Sequence, residues 1–268
     1  MKIIVNEKEI FEKDESTAFE VRDKVKNDAD IVILNGFPIK QDYILSDGDK
    51  LTLIKRGEIP EKEELEALMV SRHTPKVHEK VKKAKIAIAG LGGLGSTAAL
   101  ALGRIGVGYL RIIDFDVVEP SNLNRQQYFI KHIGMKKCNA LKEIILEINP
   151  FIEIHNVDTC VNKDNVKELF EGMDIVIEAF DGPENKAMIV REVLLQTKRT
   201  KIISASGMAG YYSNNLITTK KVNERLYMCG DFENEAKVNE GLMAPRVGIA
   251  ACHEANTALR LILGEEEV

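Results

Sequence analysis

The sequence predicts an α/β protein: a doubly wound parallel-sheet domain preceded by a small α+β domain. Three observations lead there. First, KIAIA at residues 85–89 is a short strand, apolar apart from its first residue. It runs into glycines at 90, 92, 93 and 95 and then into a small-residue helix, STAALAL. Strand, glycine turn and helix in that order form the opening unit of a parallel sheet. Second, later apolar runs at 109–113, 152–157, 173–180 and 201–206 alternate with helical patterns at 138–149, 165–170 and 185–196. Third, residues 1–57 carry strand patterns broken by tight-turn signals. The expected division is 1–57, a linker helix and lead-in at 58–84, and the larger domain at 85–268.

In the first part, residues 2–6 and 8–11 alternate as two strands around a short turn. Ser16 is placed to cap a helix running to about Asn27, with Phe19, Val21 and Val25 among its apolar positions. Residues 31–34 form a strand stopped by Asn35-Gly36, and the turn SDGDK leads into the last strand, LTLI. Two strands, a helix and then further strands is the β-grasp order. PEKEELEALM follows as a helix: proline is tolerated in the first turn, and the acids suit the positive end of the helix dipole. His73 and His78 share no metal-ligand spacing and are expected on the surface.

Gly90, Gly92 and Gly95 fit G-x-G-x-x-G, the pattern of a nucleotide seated at a helix N-terminus in a Rossmann-like domain. One glycine turns the chain sharply, a second lets backbone N–H groups approach a phosphate, and a third lets helix and strand pack closely. The next strand ends at Asp114, roughly 20 residues further on, where a carboxylate can hold a ribose hydroxyl pair. An NAD-dependent dehydrogenase would look the same to this point. The continuation DVVEPSNLNRQQ differs: Asp116, Asn122, Arg125 and Gln126 put acids, amides and a fixed guanidinium beside the phosphate site. Phosphate chemistry needs such groups and nicotinamide binding does not.

GLGGLGS followed by IDFDVVEPSNLNRQQ resembles the adenylating enzymes related to ubiquitin activation, in particular the ThiF-type sulfur-carrier adenylyltransferases and their molybdopterin counterparts. The resemblance spans residues 67 to 263. It implies that ATP binds over Gly90, Gly92, Gly93 and Gly95, with Asp114, Asp116, Asn122, Arg125, Gln126 and Lys137 around it. Lys137 matches the catalytic lysine of a Gly-x-x-Lys segment, and Lys136 is the in-register rival. Asp181 falls at a strand end where relatives hold Mg2+, and it is also placed to cap the next helix; both roles stand open. The residues after it, GPENK, stand where relatives show Asp-Asn and an arginine. Relatives carry an arginine that reaches a partner subunit's site, and Arg72 is the nearest candidate, with a plain surface residue as the alternative. The first part resembles ThiS-like carriers. It runs on through Gly57-Glu58-Ile59-Pro60 with no free diglycine end, so it cannot itself be the acylated substrate.

A formal net charge of −5 argues against a nucleic-acid surface, and no apolar run reaches membrane-spanning length, so the expected location is cytoplasmic. Four cysteines, Cys138, Cys160, Cys229 and Cys252, form no C-x-x-C pair, so no zinc is expected although many relatives carry it. Residues 210–219 suggest an added antiparallel strand, residues 220–241 a mobile crossing loop, and residues 244–263 a final helix. Cys229 on that loop is the candidate for a later sulfur-transfer step, whereas Cys160 and Cys252 are expected to be packed. The expected activity is adenylation of a diglycine-ended, ThiS-like sulfur carrier for thiamin thiazole synthesis. The expected assembly is a homodimer, with a sulfur donor such as a cysteine desulfurase. A molybdopterin carrier or a carboxylate on modified tRNA are the alternative substrates on the same fold.

Overall fold

A computed structural model describes residues 1–238 and 240–268, which divide into two compact units, Met1–His78 and Glu79–Val268. In the first, β1 (Lys2–Val5) and β2 (Lys8–Phe11) form a hairpin, helix α1 (Ala18–Val25) follows, and β3 (Ile31–Leu34), β4 (Phe37–Ile39) and β5 (Lys50–Ile54) complete a five-stranded sheet. The order is β2-β1-β5-β3-β4, with β1 and β5 parallel and the other pairs antiparallel. Ile3, Val5, Leu51 and Leu53 alternate onto one face and pack with Ala18 and Val21 of α1. Two elements differ from expectation. Thr17, not Ser16, caps α1: its hydroxyl accepts from Glu20 N–H at 3.3 Å and the Glu20 carboxylate accepts from Thr17 N–H at 3.0 Å. The deciding signal is the glutamate three residues on, which closes a capping box on Thr17. His78, expected on the surface, is buried within helix α3 (Pro75–Lys83), which follows α2 (Lys62–His73).

The second unit is a seven-stranded sheet. Chain order runs β6 (Lys85–Ala89), α4 (Gly93–Arg104), β7 (Tyr109–Ile113), α5 (Lys137–Ile148), β8 (Glu153–Val157), α6 (Val166–Phe170) and β9 (Ile175–Glu178). It continues with α7 (Pro183–Gln196), β10 (Lys201–Ala205), β11 (Thr218–Lys221), β12 (Leu226–Gly230) and α8 (Ala244–Leu263). The spatial order is β11-β12-β10-β9-β6-β7-β8, all parallel except β11 against β12. Strands after β6 build outward on one side and strands from β9 outward on the other. The crevice of such a doubly wound sheet therefore opens between the C-terminal ends of β6 and β9. Burial on both faces explains why β6 and β9 are nearly continuous apolar runs. The expected fold class is the one observed. Helix α4 starts at Gly93 rather than Ser96, because the last two glycines form its first turn.

The stretch expected as a mobile loop is largely built; residue 239 of it lies outside the described residues. β12 pairs in parallel with β10, Ile203 opposite Tyr227, and the Tyr227 side chain is wholly buried. LYMCG is a short apolar run buried on both faces, and the charged residues before it hid it as a strand. Beyond β12, Asp231 accepts from Glu233 and Asn234 N–H and pairs with Arg246 of α8. Burial pushes the Asp231 carboxyl up, but these backbone donors, the Asn234 side chain and Arg246 outweigh it and hold its pKa at about 2. No helix among the described residues is long and apolar enough to cross a membrane.

Glu254 on α8 is fully buried, and neither carboxylate oxygen has a hydrogen-bond partner among the described residues. Burial drives its pKa well above the ordinary 4.5; Lys186 opposes the shift and Glu178 reinforces it. The folded chain therefore holds a proton that the unfolded chain releases. This contribution is fully present below the unfolded value and is lost as pH rises towards the folded one, at up to about 1.4 kcal/mol per pH unit. Glu254→Gln removes the linkage. The variant is expected to melt above the parent at about pH 8, with the gap closing towards acid. A pH-independent gap, or a lower melting temperature at the alkaline end, counts against this account.

Candidate functional site

The glycine loop lies at the C-terminal end of β6 and is shaped by close backbone approach. Gly90 has φ +89°, and a Cβ there would meet the Ala179 carbonyl oxygen at 2.7 Å. At Gly95 it would meet the Gly90 carbonyl oxygen at 1.9 Å, and at Gly93 the Val247 Cγ1 at 2.8 Å. Gly92 is open, its nearest neighbour being the Gln126 side-chain amide at 3.9 Å. No side chain caps α4, so its first-turn N–H groups are left open, the arrangement that suits an anion at a helix N-terminus.

Asp114, at the end of β7, is buried and bound to the backbone. Its Oδ2 accepts from Leu91 N–H at 2.7 Å and its Oδ1 from Asp116 N–H at 2.8 Å. It thereby shapes the glycine loop and starts the run that crosses in front of it, while each oxygen keeps a second lone pair for a ligand hydroxyl. Asn122 lies within a short 3-10 turn, Pro120–Asn124, whose N-cap is Glu119, and its Oδ1 accepts from Glu119 N–H at 3.0 Å. Arg125 lies with its stem 3.4 Å from the Gly93 Cβ position and donates to Asn124 Oδ1 at 2.8 Å. Gln126 is buried, with Oε1 lacking any partner among the described residues.

Lys137 and Lys136 part company at the start of α5. Lys137 is buried and its Nζ reaches Asp116 Oδ2 at 2.8 Å, while its N–H donates to the Asp116 carbonyl at 3.0 Å. Lys136 points away, to the Phe115 carbonyl at 2.8 Å and Asp158 at 3.1 Å. The glycines, Asp114, Asp116, Arg125, Gln126 and Lys137 are thus joined into one constellation. The bonds that Gln127 makes to α4 and Tyr128 makes to the glycine loop were not read from the sequence. Gln127 N–H donates to Ser96 Oγ at 3.2 Å, Gln127 Nε2 to Thr97 Oγ1 at 3.1 Å, and Tyr128 OH to the Leu91 carbonyl at 2.9 Å. These bonds clamp the run onto the glycine loop. Polar Ser96 and Thr97 early in an otherwise small and apolar helix were the available signal.

Asp181 follows β9 and is exposed, with no hydrogen bond or ion pair among the described residues. It does not cap α7: the N-cap is Gly182, with Pro183 next. No group of three or more metal-binding side chains occurs among the described residues. A lone carboxylate beside a phosphate site still suits Mg2+, which is commonly held by one or two carboxylates together with substrate phosphates. Beneath it, Glu178 is fully buried, accepting from Phe180 N–H at 2.7 Å, from Lys186 Nζ at 3.0 Å and from the Ser204 hydroxyl. Glu178 and Ser204 were also missed. A lone acid in the apolar run IVIEAF was the signal.

Three cysteine expectations are corrected. Cys229 is not on an exposed loop but in β12, wholly buried, and burial pushes its thiol pKa up to about 12 with Glu254 adding to the shift. A thiol so placed is neither accessible nor ionised near neutral pH, which removes it as a sulfur-transfer nucleophile. Cys160 and Cys252 are exposed rather than packed. Cys252 lies on the outer face of α8, between positions whose small neighbours Ala251 and Ala255 are buried. Arg72 is exposed near the end of α2, without a partner among the described residues.

Residues 65–268 match the model of the ThiF family, and residues 1–57 match that of the ThiS-like ubiquitin domains. The chain belongs to the ThiF family and carries a ThiS-like ubiquitin domain at its N-terminal side. Among curated relatives, the molybdopterin-synthase adenylyltransferase of Haemophilus influenzae is 32% identical over 191 residues, covering 69% of this chain and 77% of that protein. The adenylyltransferase and sulfurtransferase UBA4 of Saccharomyces cerevisiae is 30% identical over 193 residues, covering 69% of this chain and 43% of that protein. The chain thus spans less than half the length of the UBA4 relatives. Among solved structures, the Escherichia coli tRNA N6-threonylcarbamoyladenosine dehydratase TcdA in complex with ATP shares the fold. Its TM-score is 0.66 at 23% identity, over 74% of this chain and 93% of that one.

Proposed function

We propose that the chain is an ATP- and magnesium-dependent adenylyltransferase that activates the C-terminal glycine carboxylate of a separate ThiS-like sulfur carrier, in thiamin thiazole synthesis. One observation carries this reading: the uncapped start of α4, Arg125 and the Asp116-held Lys137 surround one crevice at the switch point of the sheet. In the reaction the carrier carboxylate attacks the α-phosphorus of ATP, a P–O bond forms, and the bond to the bridging oxygen breaks to release pyrophosphate. No general base is needed, since a C-terminal carboxylate is ionised at neutral pH. The chain's work is to hold the nucleotide and to offset charge developing on the phosphates. The open α4 turn and Asp114 serve the first task, Arg125 and Lys137 the second, with Asn122 and Gln126 as polar positioners. Gln126 Oε1, buried without a partner among the described residues, is the acceptor a nucleotide donor would satisfy. Mg2+, held by Asp181 and the phosphates, would add further charge neutralisation. Pyrophosphate exchange into ATP tests the proposal. Exchange should require magnesium and a diglycine-ended ThiS-like carrier; exchange without any carrier, or tight NAD binding with no exchange, refutes it.

The relatives named for molybdopterin synthase and for a tRNA base supply the second reading, the same chemistry on another carboxylate. The ThiS-like domain favours the thiamin branch. That domain is not itself the substrate on this reading. Its last strand leads into a tail tied back on its own α1–β3 turn: Lys55 pairs with Asp28 at 2.5 Å, Arg56 N–H donates to Asp30 at 2.8 Å, and Glu58 pairs with Lys26. Its role is docking or bracing. Deleting residues 1–57 separates the two. A tethered competitor for the carrier's docking surface predicts a lower carrier KM, since a short tether gives an effective concentration on the order of mM. A brace predicts lost stability or dimerisation with KM little changed. Adenylation of the domain's own residues would refute both.

A further inference from the structure

A second cleft, of about 470 Å³, lies at the edge of the large sheet opposite the glycine loop, where Ile175 begins β9 and Lys201 begins β10. β6 is five residues long, so at about 3.3 Å per residue this edge lies roughly 15 Å from the nucleotide crevice. The cleft's floor is aliphatic, formed by Ala84, Met173, Ile175, Leu261 and Ile262. Among the described residues four cations line it, Lys80, Lys83, Arg199 and Lys201, against one lining acid, Asp174, with Glu266 beside it on Lys201. In a chain of net charge −5 that is a local reversal of sign.

The acid is already committed. Asp174 Oδ2 accepts from Lys85 N–H at 2.8 Å, joining the starts of β6 and β9. Two cations are committed as well: Lys80 Nζ donates to the Leu263 carbonyl at 2.7 Å, and Lys201 pairs with Glu266 at 2.6 Å. Lys83 and Arg199 are exposed and have no hydrogen bond or ion pair among the described residues. Glu266 shows what this rim accepts. It is a carboxylate of the acidic stretch Glu265-Glu266-Glu267, gripped between Lys201 and, at 3.2 Å, Lys221. Helices α3 and α8 both end here, at Lys83 and Leu263. Their negative dipole ends disfavour a compact polyphosphate at the floor, whereas a peptide can spread its carboxylates onto the rim.

We propose that this cleft binds an acidic peptide segment of a partner protein, its carboxylates pairing with Lys83 and Arg199 and its aliphatic side chains covering the floor. The volume lies within the range of pre-formed ligand clefts, and cations around an apolar floor are complementary to such a segment. The site does not depend on the adenylation reading.

The test is fluorescence anisotropy with the full chain and a labelled peptide, acetyl-Glu-Leu-Glu-Glu-Leu-Glu. Binding is expected, weakening with salt, and lost by on the order of tenfold or more in Lys83→Glu/Arg199→Glu. Lys163→Glu/Lys167→Glu makes the same charge change on exposed side chains that do not line the cleft and is expected to leave binding unchanged. Absence of binding overturns the proposal. Equal loss in both double variants overturns it too, because generic charge attraction would then account for the affinity. So does displacement of the peptide by inorganic triphosphate that is sensitive to Lys83 and Arg199, which would make the cleft a small-anion site.

Discussion

Lys137→Ala is expected to slow adenylation by about 10²–10³-fold, the usual loss of one preorganised group that stabilises developing charge. The fold should survive. Lys137 Nζ is held at 2.8 Å by Asp116, a side chain that is 50% exposed, so water can take over when the lysine is gone. Its neighbour is the internal control. Lys136 has its charge on the Phe115 carbonyl and Asp158, and Lys136→Ala should change the rate little. Pyrophosphate exchange and single-turnover rates measure both. If Lys136→Ala is the slow variant, the assignment of the catalytic lysine is wrong. The same variant serves for Arg72, which is proposed to complete the site of a second subunit in a homodimer. Mixing inactive Arg72→Ala with inactive Lys137→Ala should then restore part of the activity, because some mixed dimers hold one site with both residues. No recovery, with subunit exchange demonstrated, rules out action in trans.

Gly95→Ala is expected to abolish ATP binding and to lower the melting temperature, although it adds a single methyl group. That methyl would sit 1.9 Å from the Gly90 carbonyl oxygen and 3.0 Å from its carbonyl carbon. Both are backbone atoms, so neither can swing aside as a side chain does. Either the helix start moves away from β6 or the loop opens, and overpacking of this kind costs about 1–3 kcal/mol or more. Opening also disperses the first-turn N–H groups that would hold the phosphates. Gly92→Ala supplies the contrast: the nearest atom to its Cβ belongs to the Gln126 side chain at 3.9 Å, so the fold should be untouched. A calorimetric ATP titration and a thermal melt read both variants. Parent-like ATP affinity in Gly95→Ala would show that the strand–helix approach is not what the site depends on.

Short-range patterns determined most of the architecture from the sequence by itself. The apolar run KIAIA, the spacing of Gly90, Gly92 and Gly95, and the run from Asp114 to Gln126 located the crevice, because turn chemistry and burial periodicity act between residues close in the chain. The β-grasp order of residues 1–57 was legible for the same reason. Tertiary structure decided matters in which distant surfaces meet. Cys229 reads as an exposed loop residue until β12 pairs with β10 and α8 covers it. Asp114 reads as a ligand group alone until it is found receiving Leu91 N–H, 23 residues away in the chain. Ser96 and Thr97 read as hydroxyls bonded back to the Gly92 and Gly93 carbonyls of their own turn, and Gln127 joins them only when the run folds back across α4. Glu254 looks like any polar position on a helix, and the packing of α8 against the sheet leaves it wholly buried. The basic cleft likewise exists only because Lys83 and the Arg199–Lys201 stretch, from two distant segments, meet at one edge of the sheet. Propensity and spacing are properties of a segment, whereas burial and charge environment belong to the contact between segments, which no local pattern encodes.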